Sequence, residues 1–324
     1  MGTKILEVID LKTHFVGKHS IVKAVDGVSF YVNDNETLGI VGESGCGKTM
    51  TCLSILRLVP QPKNHRITGK ILFEGRDILT MGKRELRKLR GRDISMILQD
   101  PMMSLNPVFD IGDQIKEAIV THAYEKDGLT ANVVEVLRRV RIPSPEMRVR
   151  DYPHQMSGGM RQRVVGAIAI SCQPRLLIAD EPTTSLDVTI QAQYLQLLKD
   201  IQRELGMALI FITHDFGIVA HMCDRVCVMY AGAMIESAPV RDIFKRPAHW
   251  YTAALIGGVP KLGTKIDRLV SISGYPPKLD RLPTGCRFSP RCANAKERCV
   301  QEEPSQVAVG EDHHVSCWYP LEHP

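Results

Sequence analysis

The sequence predicts an α/β fold built around a phosphate-binding loop, with an antiparallel β layer beside it, an inserted helical subdomain and a cysteine-rich C-terminal extension. Three observations predict it. An apolar strand at residues 38–41 runs straight into Gly42-Glu43-Ser44-Gly45-Cys46-Gly47-Lys48-Thr49. A second apolar strand, 176–179, ends in the carboxylates Asp180 and Glu181, and residues 4–32 alternate apolar and polar positions as strands do.

The loop carries the first functional expectation. Gly42, Gly45 and Gly47 can take backbone angles closed to other residues, so consecutive N–H groups turn inward as a cradle for phosphate oxygens at the start of an apolar helix over 50–58. Lys48 sets a positive charge against the β- and γ-phosphates, and the Thr49 hydroxyl is placed for Mg²⁺. Ser44 and Cys46 complete the loop and count among its nucleotide contacts. A nucleoside triphosphate is the expected ligand.

Composition bounds the rest. The 324 residues can bury a full core in two or three units, and 44% hydrophobic with 24% charged residues is ordinary for a soluble protein. A net charge of +5 is too mild to argue for nucleic acid. The longest stretch free of charged residues, 247–260, cannot span a bilayer, so membrane association is expected through a partner. Nine cysteines, one inside the phosphate loop, suit a reducing compartment better than a disulfide framework.

Along the chain, residues 4–32 read as an antiparallel sheet with turns at Gly17 and Asp26-Gly27, and Phe15 sits where its ring could stack on an adenine or simply pack. Strands over 70–73 and 94–98 flank a basic stretch, 83–92, whose Leu86 and Leu89 mark it as a solvated helix face. Gln99 at the second strand's end is a polar amide able to ligate Mg²⁺ and position a water. Residues 111–142 show helical spacing through Ile111, Ile115, Ile119, Val133, Val136, Leu137 and Val140. Ser157, Gly158 and Gly159 then open a helix and form a second anion-binding end. Since the chain has one phosphate loop, this second helix start is expected to grip the nucleotide of another subunit. Asp180 is placed for the magnesium shell and Glu181 as general base; Asp187 precedes a helix to residue 205, and His214 follows the strand 208–213 where it could reach the γ-phosphate.

This set in this order, GESGCGKT, Gln99, MSGGMRQ, LLIADE, SLD and His214, resembles the ATP-binding subunits of ABC transporters. QDPMMSLNP and YPHQMSGGMRQR are similar to the oligopeptide and dipeptide importer group, some members of which handle nickel. The resemblance implies a P-loop NTPase with an ABC ATPase core over 1–99 and 166–238, a helical subdomain over 100–165 and an importer-type extension over 239–324. It implies a head-to-tail dimer with a second ATPase, itself or a related chain, that sandwiches ATP between the phosphate loop of one subunit and the Ser-Gly-Gly of the other. Phe15 is then the adenine-stacking aromatic, Lys48 and Thr49 the phosphate and magnesium contacts, and Gln99 the sensor toward the membrane subunits. Ser157 to Gly159 are the signature, Asp180 and Glu181 the magnesium and base carboxylates, Asp187 the cross-dimer contact and His214 the γ-phosphate switch. Met156 and Met160 depart from the general pattern LSGGQ. Two transmembrane permease subunits and an extracytoplasmic solute-binding protein are the implied partners, and the cytoplasmic face of the cell membrane the implied location. A nucleic-acid-associated ATPase of the same superfamily is the competing class, but the interval between phosphate loop and signature shows no sustained heptads.

The tail adds LPTGCRFSPRC, similar to the extension of peptide-importer ATPases. Cys286, Cys292, Cys299 and Cys317 lie in a segment short of large apolar residues, which suggests a metal staple. Zinc sites usually contain close cysteine pairs and this set has none, so a [4Fe–4S] cluster is the first expectation, with zinc and unliganded thiols as alternatives. Arg287, Arg291 and Arg298 are expected to offset the cluster's negative charge.

Overall fold

The computed structural model describes residues 2–60, 64–100, 104–122, 128–184, 186–259 and 272–323. Numbered along the chain, its strands are β1 (Lys4–Val16), β2 (Ile21–Asn33), β3 (Thr37–Val41), β4 (His65–Phe73), β5 (Arg76–Asp77), β6 (Ile94–Ile97), β7 (Leu176–Asp180), β8 (Ala208–Thr213), β9 (Arg225–Tyr230), β10 (Ala233–Pro239), β11 (Val307–Gly310) and β12 (His313–Val315). The chain divides into two compact units.

One unit comprises Leu6–Tyr31, Thr37–Leu79 and Thr213–Pro324, and so contains the phosphate loop together with the whole tail. The expected antiparallel layer is there, in the order β2-β1-β4-β5, with β1 and β4 antiparallel from Leu6 opposite Phe73 to Phe15 opposite His65. Beside it run β11-β12-β10-β9-β3, where β3 and β9 are parallel and the tail hairpin β11-β12 pairs with β10. All five residues of β3 are buried, as a strand covered on both faces requires. The turn expected at Asp26-Gly27 is absent: β2 runs through it, with Gly27 at φ 82. Asp26 finds its hydrogen-bond partners far along the chain: its N–H donates to Gly232 O (2.8 Å), its carboxylate accepts from Arg287 Nη2 (2.9 Å) and Oδ1 lies 2.8 Å from His14 Nε2, with Lys23 Nζ a longer ion-pair contact at 3.4 Å. A polar Asp-Gly pair therefore had no need to bend the chain.

Glu236 of β10 is wholly buried and is satisfied three ways. It accepts the N–H groups of Ala248 (2.6 Å) and His249 (2.9 Å), and Oε1 lies 2.8 Å from His313 Nε2 on β12. His249 in turn caps the helix Trp250–Gly257, its Nδ1 accepting the Tyr251 N–H at 3.0 Å. Burial pushes the His249 imidazole down to about 4, against the upward pull of Glu236. The unfolded chain then binds a proton that the folded chain refuses, so this contribution is complete above the ordinary histidine range and fades as pH falls toward 4. Between pH 8 and pH 5 it should cost about 2 kcal/mol of stability. Melting curves at the two pH values check this: in His249→Asn the difference should shrink.

The other unit comprises Met1–Ile5, Val32–Glu36 and Thr80–Ile212. Its strands run parallel in the order β8-β7-β6, and every residue of β7 and β8 is buried. The helices Ile111–His122 and Leu129–Arg139 bury Ile111, Ile115, Ile119, Val133, Val136 and Leu137, the apolar stripe the spacing predicts. The helix Lys83–Leu89 buries only Leu86 and Leu89 and leaves its basic residues in solvent. No helix among the described residues is long and apolar enough to cross a membrane.

Candidate functional site

In the first unit the phosphate loop takes the glycine-dependent shape the sequence predicts. Gly42, Gly45 and Gly47 stand at φ 154, 77 and 110. A Cβ on Gly42 would lie 2.2 Å from Met229 O, and one on Gly47 2.3 Å from Ala24 O, whereas at Gly45 nothing lies within 4 Å. Two glycines thus answer to the fold, while the third, at φ 77, faces open space. Lys48 is buried, and its Nζ donates to the loop's own Gly42 O (2.8 Å) and Glu43 O (3.0 Å). The helix Lys48–Ile55 begins without a side-chain cap and without an acidic residue in its first turn, so its positive pole faces the loop uncancelled. Ser44 and Thr49 are exposed there, while Cys46 is buried, its thiol pushed up by desolvation and pulled partly back by Lys48. The loop's positive-φ glycines, its ammonium and the exposed Thr49 fit a magnesium-bound polyphosphate. Phe15 is half-buried near the end of β1, and His214 is exposed just after β8, ahead of Asp215, which caps the helix Phe216–Met222 by accepting from Gly217 N at 2.7 Å.

In the second unit β7 delivers Asp180, 1% exposed, and then Glu181 at φ 44, a left-handed backbone rare outside glycine. The Glu181 N–H donates to Ile212 O at 3.0 Å, and its Oε2 accepts from Gln99 Nε2 (3.2 Å) and Thr184 Oγ1 (3.1 Å). The structure therefore joins two predicted residues, Gln99 and Glu181, and adds Thr184, which the sequence reading passed over because a threonine beside an acidic strand end carries no spacing signal.

The helix Gly158–Ile170 starts at Ser157, whose hydroxyl accepts from Met160 N at 3.3 Å. Its two glycines differ. A Cβ on Gly159 would stand 2.7 Å from Ile190 Cγ2, but one on Gly158 would meet nothing within 4 Å. The bareness of Gly158 is not required by this chain. Met156 is 4% exposed and packs as a core residue, so its departure from leucine is a like-for-like apolar exchange. Asp187 has a local task, capping the helix Val188–Leu205 by accepting from Ile190 N at 3.0 Å. Its neighbour Ser185 lies outside the described residues.

The tail corrects two expectations. Among the described residues no group of three or more His, Cys, Asp or Glu side chains is placed to hold a metal ion, so the metal expected at Cys286, Cys292, Cys299 and Cys317 finds no support in the geometry. The thiols do share a neighbourhood: burial raises Cys286, Cys292 and, to about 11, Cys317, and the last also feels the charges of the other three. The three arginines do not serve these sulfurs either. Arg287 pairs with Asp26 and Glu303, Arg298 with Glu302 while lying over the Trp318 ring, and Arg291 with Glu43 of the phosphate loop. Each guanidinium has found a carboxylate, and Arg291 grips both oxygens of the Glu43 carboxylate at once, the fit a guanidinium fork favours.

A glycine-cradled lysine at a helix start, a buried strand ending in Asp-Glu and a Ser-Gly-Gly helix start define an ABC-type ATPase cassette. The ABC transporter family model matches residues 25–184, and that of the oligopeptide/dipeptide transporter C-terminal region matches 235–299. A probable peptide ABC transporter ATP-binding protein of Sinorhizobium fredii is 48% identical over 316 residues, 97% of this chain and 94% of the relative. The dipeptide transport ATP-binding protein DppD of Bacillus subtilis is 48% identical over 317 residues, again 97% and 94%. Among solved structures, the ATP-binding cassette MJ0796, a dimer bound to ADP and Pi after hydrolysis, superposes with a TM-score of 0.64 at 22% identity, over 73% of this chain and 99% of that one, a likeness of fold. The chain belongs to the family of ATP-binding subunits of peptide ABC transporters.

Proposed function

We propose that the chain hydrolyses ATP to drive import of dipeptides or oligopeptides, acting at the cytoplasmic face of the membrane as one of two cassettes bound to two permease subunits and supplied by an extracytoplasmic solute-binding protein. The observation that carries this reading is the phosphate loop, its glycines at positive φ around a buried Lys48 at an uncapped helix start, in a chain nearly half identical to peptide-transporter subunits along almost its whole length.

In this reading Phe15 stacks on adenine, and the loop from Gly42 through Ser44, Gly45, Cys46 and Gly47 wraps the phosphates. Lys48 exchanges its loop carbonyls for β- and γ-phosphate oxygens. Thr49, Gln99 and Asp180 are the residues that would hold magnesium, which would supply charge neutralisation of the phosphates. Glu181, oriented by Gln99 and Thr184, takes the proton of the attacking water, and His214 contacts the γ-phosphate. Ser157, Gly158 and Gly159 meet the nucleotide of the opposite cassette, and Asp187 lies at that junction. A cavity of about 400 Å³ whose lining includes Met96, Leu98, His122, Ile168 and Cys172 supports a landing site for a permease segment near Gln99. The 1–99 and 166–238 core, the 100–165 helical subdomain and the 239–324 extension divide these tasks.

Lys48→Ala is the test. In the complex co-purified with its permease partners it should lose at least about 100-fold in ATP turnover and in peptide uptake together. Uptake that persists without Lys48 would refute the assignment.

A further inference from the structure

Glu43, the second residue of the phosphate loop, is held at every polar group it has. Its carbonyl accepts from Lys48 Nζ at 3.0 Å, its N–H donates to the Tyr251 hydroxyl at 2.9 Å, and its carboxylate receives a two-pronged bond from Arg291, Nη1 to Oε2 at 2.6 Å and Nη2 to Oε1 at 3.0 Å. Tyr251 and Arg291 come from beyond residue 239, while Lys48 and the Cys46 N–H, which donates to the same carbonyl at 3.3 Å, belong to the loop itself. Arg291 is itself fixed. Its side chain is 4% exposed, its Nε donates to Ser273 O at 3.0 Å and Nη1 also reaches the Tyr230 hydroxyl at 3.3 Å. It rides on the single helical turn Ser289–Arg291 between Cys286 and Cys292, where the Ser289 N–H donates to Cys286 O and the Cys292 N–H to Ser289 O. Tyr230, Tyr251 and Phe288 pack against one another beneath it with ring centroids 4.6 to 5.4 Å apart.

We propose that Arg291 is a positioning residue for the phosphate loop: through Glu43 it makes nucleotide affinity depend on the fold of the cysteine-bearing tail. The inference rests on the reading that this loop binds ATP. The physics has two parts. The guanidinium fork fixes the carboxylate in a plane and so fixes the loop backbone that also carries the Lys48 contact. It also neutralises a negative charge on the loop that must receive the negatively charged phosphates. Without Arg291, Glu43 would present an unpaired carboxylate to the triphosphate. Both effects act on bound nucleotide and transition state alike, so they belong to binding rather than to turnover.

The test uses the full chain and a fluorescent ATP analogue. Arg291→Met should raise the analogue's Kd about tenfold, with kcat at saturating ATP within about twofold of native. In Glu43→Gln/Arg291→Met no carboxylate is left bare, so the electrostatic share of the lost affinity should return, while the share owed to the fork's hold on the loop should stay lost. Arg291→Lys keeps the charge without the fork and should fall between native and Arg291→Met. A native Kd in Arg291→Met, or a double variant as weak as the single one, would overturn the proposal. Should Arg291→Met fail to fold, Arg291→Lys decides, and an unchanged Kd there overturns it equally. Lys48→Ala separates the two readings. A native chain that never binds the analogue defeats the ATP assignment itself, whereas binding lost in Lys48→Ala but unaltered by the Arg291 changes defeats this inference alone.

Discussion

Glu181→Gln should slow ATP hydrolysis by about 10²- to 10⁴-fold while leaving ATP binding in place, the usual range when a positioned general base is removed. The substitution is chosen to isolate chemistry from structure. An amide has the same shape, its oxygen can still accept from Gln99 and Thr184, and the main-chain N–H bond to Ile212 is untouched. The left-handed backbone at φ 44 is equally strained for either side chain. What disappears is the capacity to take a proton from water. Initial rates of phosphate release alongside equilibrium nucleotide binding separate the two effects, and a rate within about threefold of native would strip Glu181 of the role.

Gly158→Asp is expected to push stability and activity in opposite directions. A carboxylate at the first position of the helix Gly158–Ile170 interacts favourably with the helix dipole, by about 0.3–1 kcal/mol, and the added Cβ meets nothing within 4 Å. The chain alone should therefore melt at the native temperature or slightly above it. A negative charge brought close to the phosphates of a nucleotide held by the opposite cassette would cost several kcal/mol at the effective dielectric of a partly shielded site. ATP turnover of the assembled transporter should then drop about 100-fold or more. Native turnover in this variant would show that nothing anionic approaches the helix start. Loss of folding would show that Gly158, like Gly159, serves the chain's own packing.

The parts legible in the sequence were those whose physics is local. A glycine loop needs positive φ at fixed offsets, so Gly42, Gly45 and Gly47 announced themselves, and the stripe Ile111, Ile115, Ile119 repeats within one helix. The illegible parts depend on partners distant along the chain. Glu43 and Arg291 are 248 positions apart, and neither residue type at its place hints at the other. Asp26-Gly27 looked like a turn because the donors that satisfy Asp26 come from Arg287 and His14. Gly158 and Gly159 are identical in sequence, and only the nearness of Ile190 tells a glycine of the fold from one left bare. The arginines of the tail were assigned to offset charge on the sulfurs, but each pairs with a carboxylate instead, two of them, Asp26 and Glu43, far away along the chain.

Glu236 carries a consequence for how such chains can vary. Its carboxylate closes β10, the start of the tail helix and the His313 hairpin strand into one polar knot without solvent. A chain shortened after residue 239 would take from Glu236 the N–H groups of Ala248 and His249 and the His313 ring, and from Glu43 its Tyr251 and Arg291 partners, so β10 and the phosphate loop would lose their holds together. Grafting a foreign extension onto this cassette would therefore succeed only if the graft brought two amide donors and an imidazole to the same spot, which makes head and tail a matched pair in evolution rather than interchangeable modules.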